Sequence, residues 1–324
     1  KNKKTLCTLN VKNILEYFTK AGVQVTCKEF SQVDLSQNYF GTAVLYNSSE
    51  DYGLYYRSYI EDVVLALKNL GATLIPDFQF LRAHHNKCYM ELLRKQLLPE
   101  EAKKVSTHIY GTYEEFKKDT LPEGKYVVKD SYGAGSAGVE LADNLAQLDK
   151  IVKKHSRNNS IQVIARELRR RILWGKTYHK SSIHNKKFII QHFIDGLSGD
   201  YKVLKYGDRF YTLYRKNRDN DFRASGGGKL TFDLPEGVLE KDLLSFAKKI
   251  SDEIGTPLCS MDIAWNGCQF VLIEFQCLCF GPYTAEYADH YSMFIDDSWK
   301  TYNTRSDIEQ ILVEAVINYI DKIE

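Results

Sequence analysis

The apolar positions change period several times along the chain. Residues 11–22, VKNILEYFTKAG, repeat at helical spacing and stop at Gly22. VQVTCKEF (23–30) alternates and reads as a strand, and TAVLYN (42–47) is a short apolar run closed by Asn47-Ser48-Ser49-Glu50. YRSYIEDVVLALKNLG (56–71) is a second amphipathic helix, and ATLIPDF (72–78) is a third strand ended by Pro76-Asp77. This alternation predicts a small parallel α/β layer, with a site at the strand ends. RAHHNKCYMELLRKQL (82–97) and NLAQLDKIVKKH (144–155) read as further helices.

From Phe188 onward strands dominate. FIIQHFI (188–194) precedes YKVLKYGDRFYTLYRK (201–216), a hairpin turning at Gly207-Asp208. SMDIAW (260–265) and QFVLIEFQCLCF (269–280) form a second hairpin about Asn266-Gly267, with a helix, EKDLLSFAKKISDEIG (240–255), between the two. The last segment is an amphipathic helix with Ser306 as its N-cap. No internal repeat is visible.

Composition narrows the class. The chain of 324 residues has 44% hydrophobic and 27% charged residues, an ordinary globular mix. A net charge of +2 argues against bulk binding to nucleic acid. No apolar run approaches the ~18 residues of a membrane span, so no membrane partner is expected. The seven cysteines lack zinc-site spacing and read as reduced, mostly buried thiols of a cytoplasmic protein. Cys277 and Cys279 are expected to share one strand face. The basic stretch 165–187 reads as a solvated helix face and loop, or as a flap contacting an anionic substrate.

The chemistry starts in YVVKDSYGAGSAGVEL (126–141), where a strand ends in Lys129 and runs into Gly133, Gly135 and Gly138. A Walker loop needs a Lys after its glycines, and none follows. The letters match a dinucleotide fingerprint, but VELADN after Gly138 is strand and turn, not helix. Strand, loop and strand suit a hairpin over a nucleotide. Backbone N–H groups from Ser131 through Ser136 to Gly138 would cradle phosphate, with Lys129 as a point charge.

Downstream, Asp262 sits on one strand of the second hairpin, and Glu274 and Gln276, two apart, share a face of the other. Each acid alone could be a solvated strand residue. Set among apolar neighbours, the three hard oxygen donors instead suit Mg²⁺. Without a metal the two carboxylates are expected to repel, so neutralising either should leave the fold intact.

With these residues in view, the chain resembles the ATP-grasp superfamily, in particular the branch of glutathione synthetase and RimK-type carboxylate–amine ligases. The resemblance runs from about Lys87 to Gly281. Lys87 in HHNKCYMELL resembles the first nucleotide lysine and Lys129 the second. FIIQHFIDG resembles the adenine hinge, with Gln191, His192, Phe193 and Ile194 around the base. Asp200 resembles the acid after the hinge, NDFRASGGG the arginine loop with Arg223 near the γ-phosphate and Gly227 in its glycine run, and MDIAW with IEFQ the metal hairpin. Gln276 stands where the family usually has Asn, Lys202 where it has Arg, and RASGGG is shorter than the family's loop.

The resemblance implies an α/β (α+β) ATP-grasp fold, with the nucleotide held between two α+β subdomains after a small parallel α/β domain. Boundaries fall at 1–86, 87–187 and 188–324. It implies ATP with Mg²⁺, two ions with Mn²⁺ able to substitute, small-molecule carboxylate and amine substrates, and compatibility with a homodimer. The reaction implied forms an amide through an acyl phosphate, releasing ADP and phosphate. A phosphotransferase acting on a hydroxyl or amide, and a nucleotide-binding regulatory protein, are the alternatives. The cluster at 47–50 and Tyr52, Tyr55 and Tyr56 are candidates for acceptor binding; the tyrosines could equally pack the domain.

Overall fold

The computed structural model describes residues 9–51, 53–133, 138–179, 182–219, 221–224 and 227–323. It contains two compact units, Lys1–His84 with Gly196–Glu324, and His85–Asp195.

The first unit opens with α1 (Val11–Lys20), capped by Asn10, whose side chain accepts from the Lys12 and Asn13 backbone. Residues 24–29 form no strand, and Val25 is exposed. The alternating pattern there has no ladder to join, so the expected strand is corrected to irregular chain followed by a short 3-10 turn, Phe30–Gln32. β1 (Ala43–Leu45), α2 (Tyr55–Asn69), β2 (Thr73–Ile75) and α3 (Phe78–Ala83) follow, with β1 and β2 pairing parallel as the alternation predicts.

The second unit begins with α4 (Lys87–Leu97), which is separate from α3 because His84 to Asn86 break the expected single helix, with His85 at φ 50. Next come α5 (Pro99–Lys104), β3 (Thr107–Tyr110), α6 (Tyr113–Phe116), β4 (Tyr126–Asp130), β5 (Val139–Ala142), α7 (Leu145–His155), α8 (Ile161–Trp174) and β6 (Phe188–His192). The sheet order is β3-β6-β4-β5. One face carries Tyr110, Tyr126, Val128, Ala142, Phe188 and Ile190, which pack on Phe116 of α6 and on Leu148, Ile151 and Val152 of α7. Strand alternation turns Val127, Lys129, Ile189 and Gln191 to the opposite face, where α4 contacts β3 and β6. The strand at 188 thus pairs within 85–195, one strand before the second unit ends, whereas the sequence reading starts a new subdomain at it.

The first unit then resumes with β7 (Gly199–Tyr206), β8 (Arg209–Lys216), β9 (Leu230–Thr231), α9 (Glu240–Ile254), β10 (Leu258–Trp265), β11 (Phe270–Gln276), α10 (Tyr283–Tyr287), β12 (Tyr291–Ile295), β13 (Ser298–Tyr302) and α11 (Ile308–Ile323). The main path of its sheet is β11-β10-β7-β8-β12-β13, with β9 on β8. Gly207, at φ 60, makes the tight turn between β7 and β8. Leu204, Tyr206 and Tyr211 join Phe18, Ala285, Ile311, Leu312 and Val316 in one core. α11 is capped by Asp307, whose Oδ1 accepts from Gln310 N–H at 3.0 Å; Ser306 is not the cap and bonds Tyr211 Oη instead. No described helix is long and apolar enough to cross a membrane.

Candidate active site

In residues 85–195 the site is built around the start of α4. The buried Asn86 caps the helix by accepting from Tyr89 N–H at 3.3 Å, and the same Oδ1 accepts from Ser131 Oγ at 3.0 Å and Lys187 Nζ at 2.9 Å. Lys87 donates from its backbone to Ser131 O at 2.8 Å and from Nζ to Gly133 O at 2.6 Å. The start of the glycine-rich loop is therefore fastened to a helix N-terminus, where the peptide dipoles favour negative charge. Lys187 also lies 5.1 Å from the centre of the Tyr132 ring. Lys129 is half-buried on β4, on the sheet face turned from α7. Gly135 and Ser136 lie outside the described residues.

The loop returns at Gly138. Its carbonyl accepts from Asp130 N–H at 2.8 Å, its φ is 69, and a Cβ there would stand 2.5 Å from Asp130 Oδ2. A side chain is thus excluded both by backbone strain and by space. Beside this closure His155, at the end of α7, has Nδ1 2.7 Å from Asp130 Oδ1 and Nε2 3.2 Å from Glu140 Oε1. Burial alone would lower its pKa; the Asp130 and Glu140 carboxylates outweigh burial and raise it.

The expected hinge holds a surprise at Gln191. Its side-chain amide is buried and donates to Glu91 Oε1 at 3.0 Å and Thr107 Oγ1 at 3.2 Å, next to the buried Glu91–Arg94 pair at 2.8 Å. That side chain holds α4 to the sheet rather than facing a base. His192 packs on Tyr126 with ring centres 4.7 Å apart, and Phe193 N–H bonds Lys125 O at 3.0 Å. Phe193 and Ile194 are partly exposed beyond the strand.

In the other unit the pairing register assembles a charged row. Asp200 lies opposite Arg215, Lys202 opposite Asp262, and Asp262 opposite Glu274, so all share one sheet face. Arg215 grips Asp200 through two bonds of 2.5 and 2.7 Å and reaches Asp262 Oδ2 at 2.7 Å. Lys202 donates to Asp262 Oδ1 at 2.9 Å, and Gln276 Nε2 to Glu274 Oε1 at 3.2 Å. Burial, then the Asp262 charge, push the Asp200 carboxyl up to about 6 against the pull of Arg215. Burial would also raise Asp262, but Arg215 and Lys202 hold it well below the usual carboxylate range. The expected repulsion between bare carboxylates is thereby corrected: Asp262 is clasped by two cations.

Asp262, Glu274 and Gln276 together offer only hard oxygen donors on adjacent strands, the chemistry a magnesium ion takes. The set fits, provided Asp262 exchanges a cationic partner for the ion.

Arg223 lies in its own loop, pairing with Asp221 at 2.6 Å, and Gly227 N–H bonds Ala224 O at 3.2 Å; Gly226 is outside the described residues. At the end of β1, Ser48 N–H donates to Cys279 Sγ at 3.2 Å. Cys279 has φ 52 beyond the end of β11, so it does not share a strand face with the buried Cys277. Tyr55 and Tyr56 are 81% and 51% exposed, which removes the reading that they pack the domain; Tyr52 lies outside the described residues.

Sequence reasoning missed Arg215 and Lys187. A signal for Arg215 was present: counting back from the two-residue turn at Gly207-Asp208 pairs it with Asp200. Lys187 had none, since its partner Asn86 is distant in sequence.

No protein-family model matches the chain, and no curated protein matches it by sequence. Solved structures do. D-cycloserine synthetase DcsG superposes with a TM-score of 0.53 at 13% identity, covering 95% of this chain and 94% of that one. A RimK-domain ATP-grasp protein of Sphaerobacter thermophilus DSM 20745 gives 0.50 at 12% identity, covering 96% of each. The ATP-grasp ligase PsnB, complexed with a minimal precursor, Mg and ADP, gives 0.50 at 10% identity, covering 98% and 94%. At such identities the likeness is one of fold.

Proposed function

From a chain with the ATP-grasp fold, we propose an ATP-dependent carboxylate–amine ligase, cytoplasmic, acting on small molecules. One observation carries this reading. The register of β7, β8, β10 and β11 gathers two cations, Lys202 and Arg215, and the oxygen donors Asp262, Glu274 and Gln276 on one face. Such a row can hold a metal and meet phosphate charge together.

Lys87, Lys129 and Lys187 bind the phosphate chain, with backbone N–H groups of the glycine loop as further donors. His192, Phe193 and Ile194 line the base, while Gln191 positions their strand through Glu91 and Thr107. Asp262, Glu274 and Gln276 would hold Mg²⁺, as two ions with Mn²⁺ able to replace them; bound there, the metal neutralises charge on the transferring phosphoryl group. With a metal held by Asp262, Arg215 and Lys202 would be available to phosphate oxygens, and Asp200 holds Arg215 through two hydrogen bonds. Arg223 reaches phosphate only by leaving Asp221. A carboxylate oxygen of the first substrate attacks the γ-phosphorus and ADP leaves. The amine nitrogen then attacks the acyl carbon, phosphate leaves, and the amine loses a proton to the medium. No protein nucleophile is needed; positioning and charge carry the chemistry.

The test is ADP release from Mg-ATP across a panel of carboxylate and amine pairs, with product masses. Amide formed only when both substrates are present supports the reading. Phosphate retained on a hydroxyl or amide acceptor, or ATP binding without turnover, overturns it.

A further inference from the structure

α8 stands apart from the other long helices. Each of α1, α2, α4, α7, α9 and α11 buries at least one side chain, and α8 buries none. Four of its apolar residues are nevertheless ordered, while Leu173 and Trp174, 65% and 64% exposed, fall off their line. At 3.6 residues per turn, Ile161, Ile164, Leu168 and Ile172 form a single stripe. They are 82%, 40%, 59% and 73% exposed. Arg169 and Arg171 fall on the two borders of that stripe, and Arg166 and Arg170 on the far side. The only acid of the helix, Glu167, accepts from Tyr178 Oη at 2.6 Å and faces Arg170 at 3.8 Å.

We propose that α8 is a docking surface for an anionic lipid bilayer, with the helix lying in the interface plane. Charge complementarity commits the occupant. An apolar stripe bordered by arginines on both sides suits acyl chains flanked by negative headgroups, and the long arginine stems let each guanidinium rise to headgroup level while the stripe sinks. A second copy of the helix fits worse, because pairing two stripes would bring the arginine borders of both copies together. The helix is too short and too basic to span, so the contact is adsorption to one leaflet. The ligand is thus a phospholipid surface carrying net negative charge, as on a cytoplasmic leaflet.

The test uses the full chain with sedimenting vesicles of phosphatidylcholine alone or mixed with phosphatidylserine. The chain is expected to bind the mixed vesicles at least about tenfold more than the neutral ones. Binding should disappear at about 1 M salt, where the screening length is about 3 Å. Leu168→Asp should abolish binding, and the pair Arg169→Glu with Arg171→Glu should reverse the lipid preference. Both should keep the parent melting temperature, because among the described residues α8 buries none of its side chains. Three results would overturn the proposal: no binding to anionic vesicles, equal binding by Leu168→Asp, or a stripe that instead drives self-association or captures an acidic helical peptide while vesicles stay bare.

Discussion

The two charged regions of this molecule solve opposite problems. In residues 85–195, Lys87 and Lys187 donate to neutral oxygens, the Gly133 carbonyl and the Asn86 amide. Their positive charge is held in place by these contacts without being cancelled by them. On the β7–β11 face, Lys202 and Arg215 meet Asp200 and Asp262 in a closed row. On the proposed reading the first arrangement attracts an anion outright. The second can admit a metal and a phosphate only by exchanging partners. Breaking each should therefore look different.

The largest effect belongs to Arg215→Met. It leaves Asp200 and Asp262 with Lys202 as their remaining cation, and breaking so buried a network costs about 3–5 kcal/mol. Thermal melting should show a large drop, and turnover should be lost. An unchanged melting temperature would mean the row is not a closed network. Next comes Asp262→Asn. The required Mg²⁺ concentration should rise about tenfold to a hundredfold, and the melting temperature should fall rather than rise, because two cations lose their shared partner. ADP release titrated against Mg²⁺ reads the first effect, and a scan without metal reads the second.

Lys187→Ala sharpens the contrast from the other side. Losing a charged hydrogen-bond donor to phosphate costs ~1.5 kcal/mol, about tenfold in ATP affinity. Calorimetry should show that weakening with no change in the Mg²⁺ requirement. Lys87→Ala should match it; a mutant that only melts earlier would make the lysine a strut for the loop.

The smallest effect concerns His155. Its folded pKa is raised above the ordinary ~6.5. The stabilisation is therefore fully present below about 6.5 and fades as pH climbs through the raised value. His155→Gln should thus cost more in melting temperature at pH 6 than at pH 9. A difference independent of pH would mean that the contacts with Asp130 and Glu140 do not depend on the ring's charge.

Legibility in the sequence followed locality. The hairpins about Gly207 and Asn266-Gly267 were readable because turn chemistry fixes register over a few residues. Their register in turn placed Asp262 opposite Glu274. Lys87 at a helix start and Lys129 at a strand end were readable for the same reason. VQVTCKEF misled because a period of two requires a neighbouring strand to become a ladder, and a sequence window cannot show whether one arrives. Gln191 misled because its partners, Glu91 and Thr107, are about a hundred residues away. The hairpin β12–β13 went unread, since Asp296 and Asp297 turn it at φ 51 and 57 without a glycine.

The pairing of α1 with α11 has a consequence for biosynthesis. α1 packs against α11, Asn10 N–H donates to Glu309 Oε1 at 2.8 Å, and Phe18 shares a core with Val316. During translation at roughly 5–20 residues per second, α1 waits roughly 15–60 s for this partner to be made. Residues 85–195 are contiguous and meet no such delay. Residues 85–195 are thus complete on the ribosome while α1 still lacks α11, and α1 is a stretch a chaperone has time to hold.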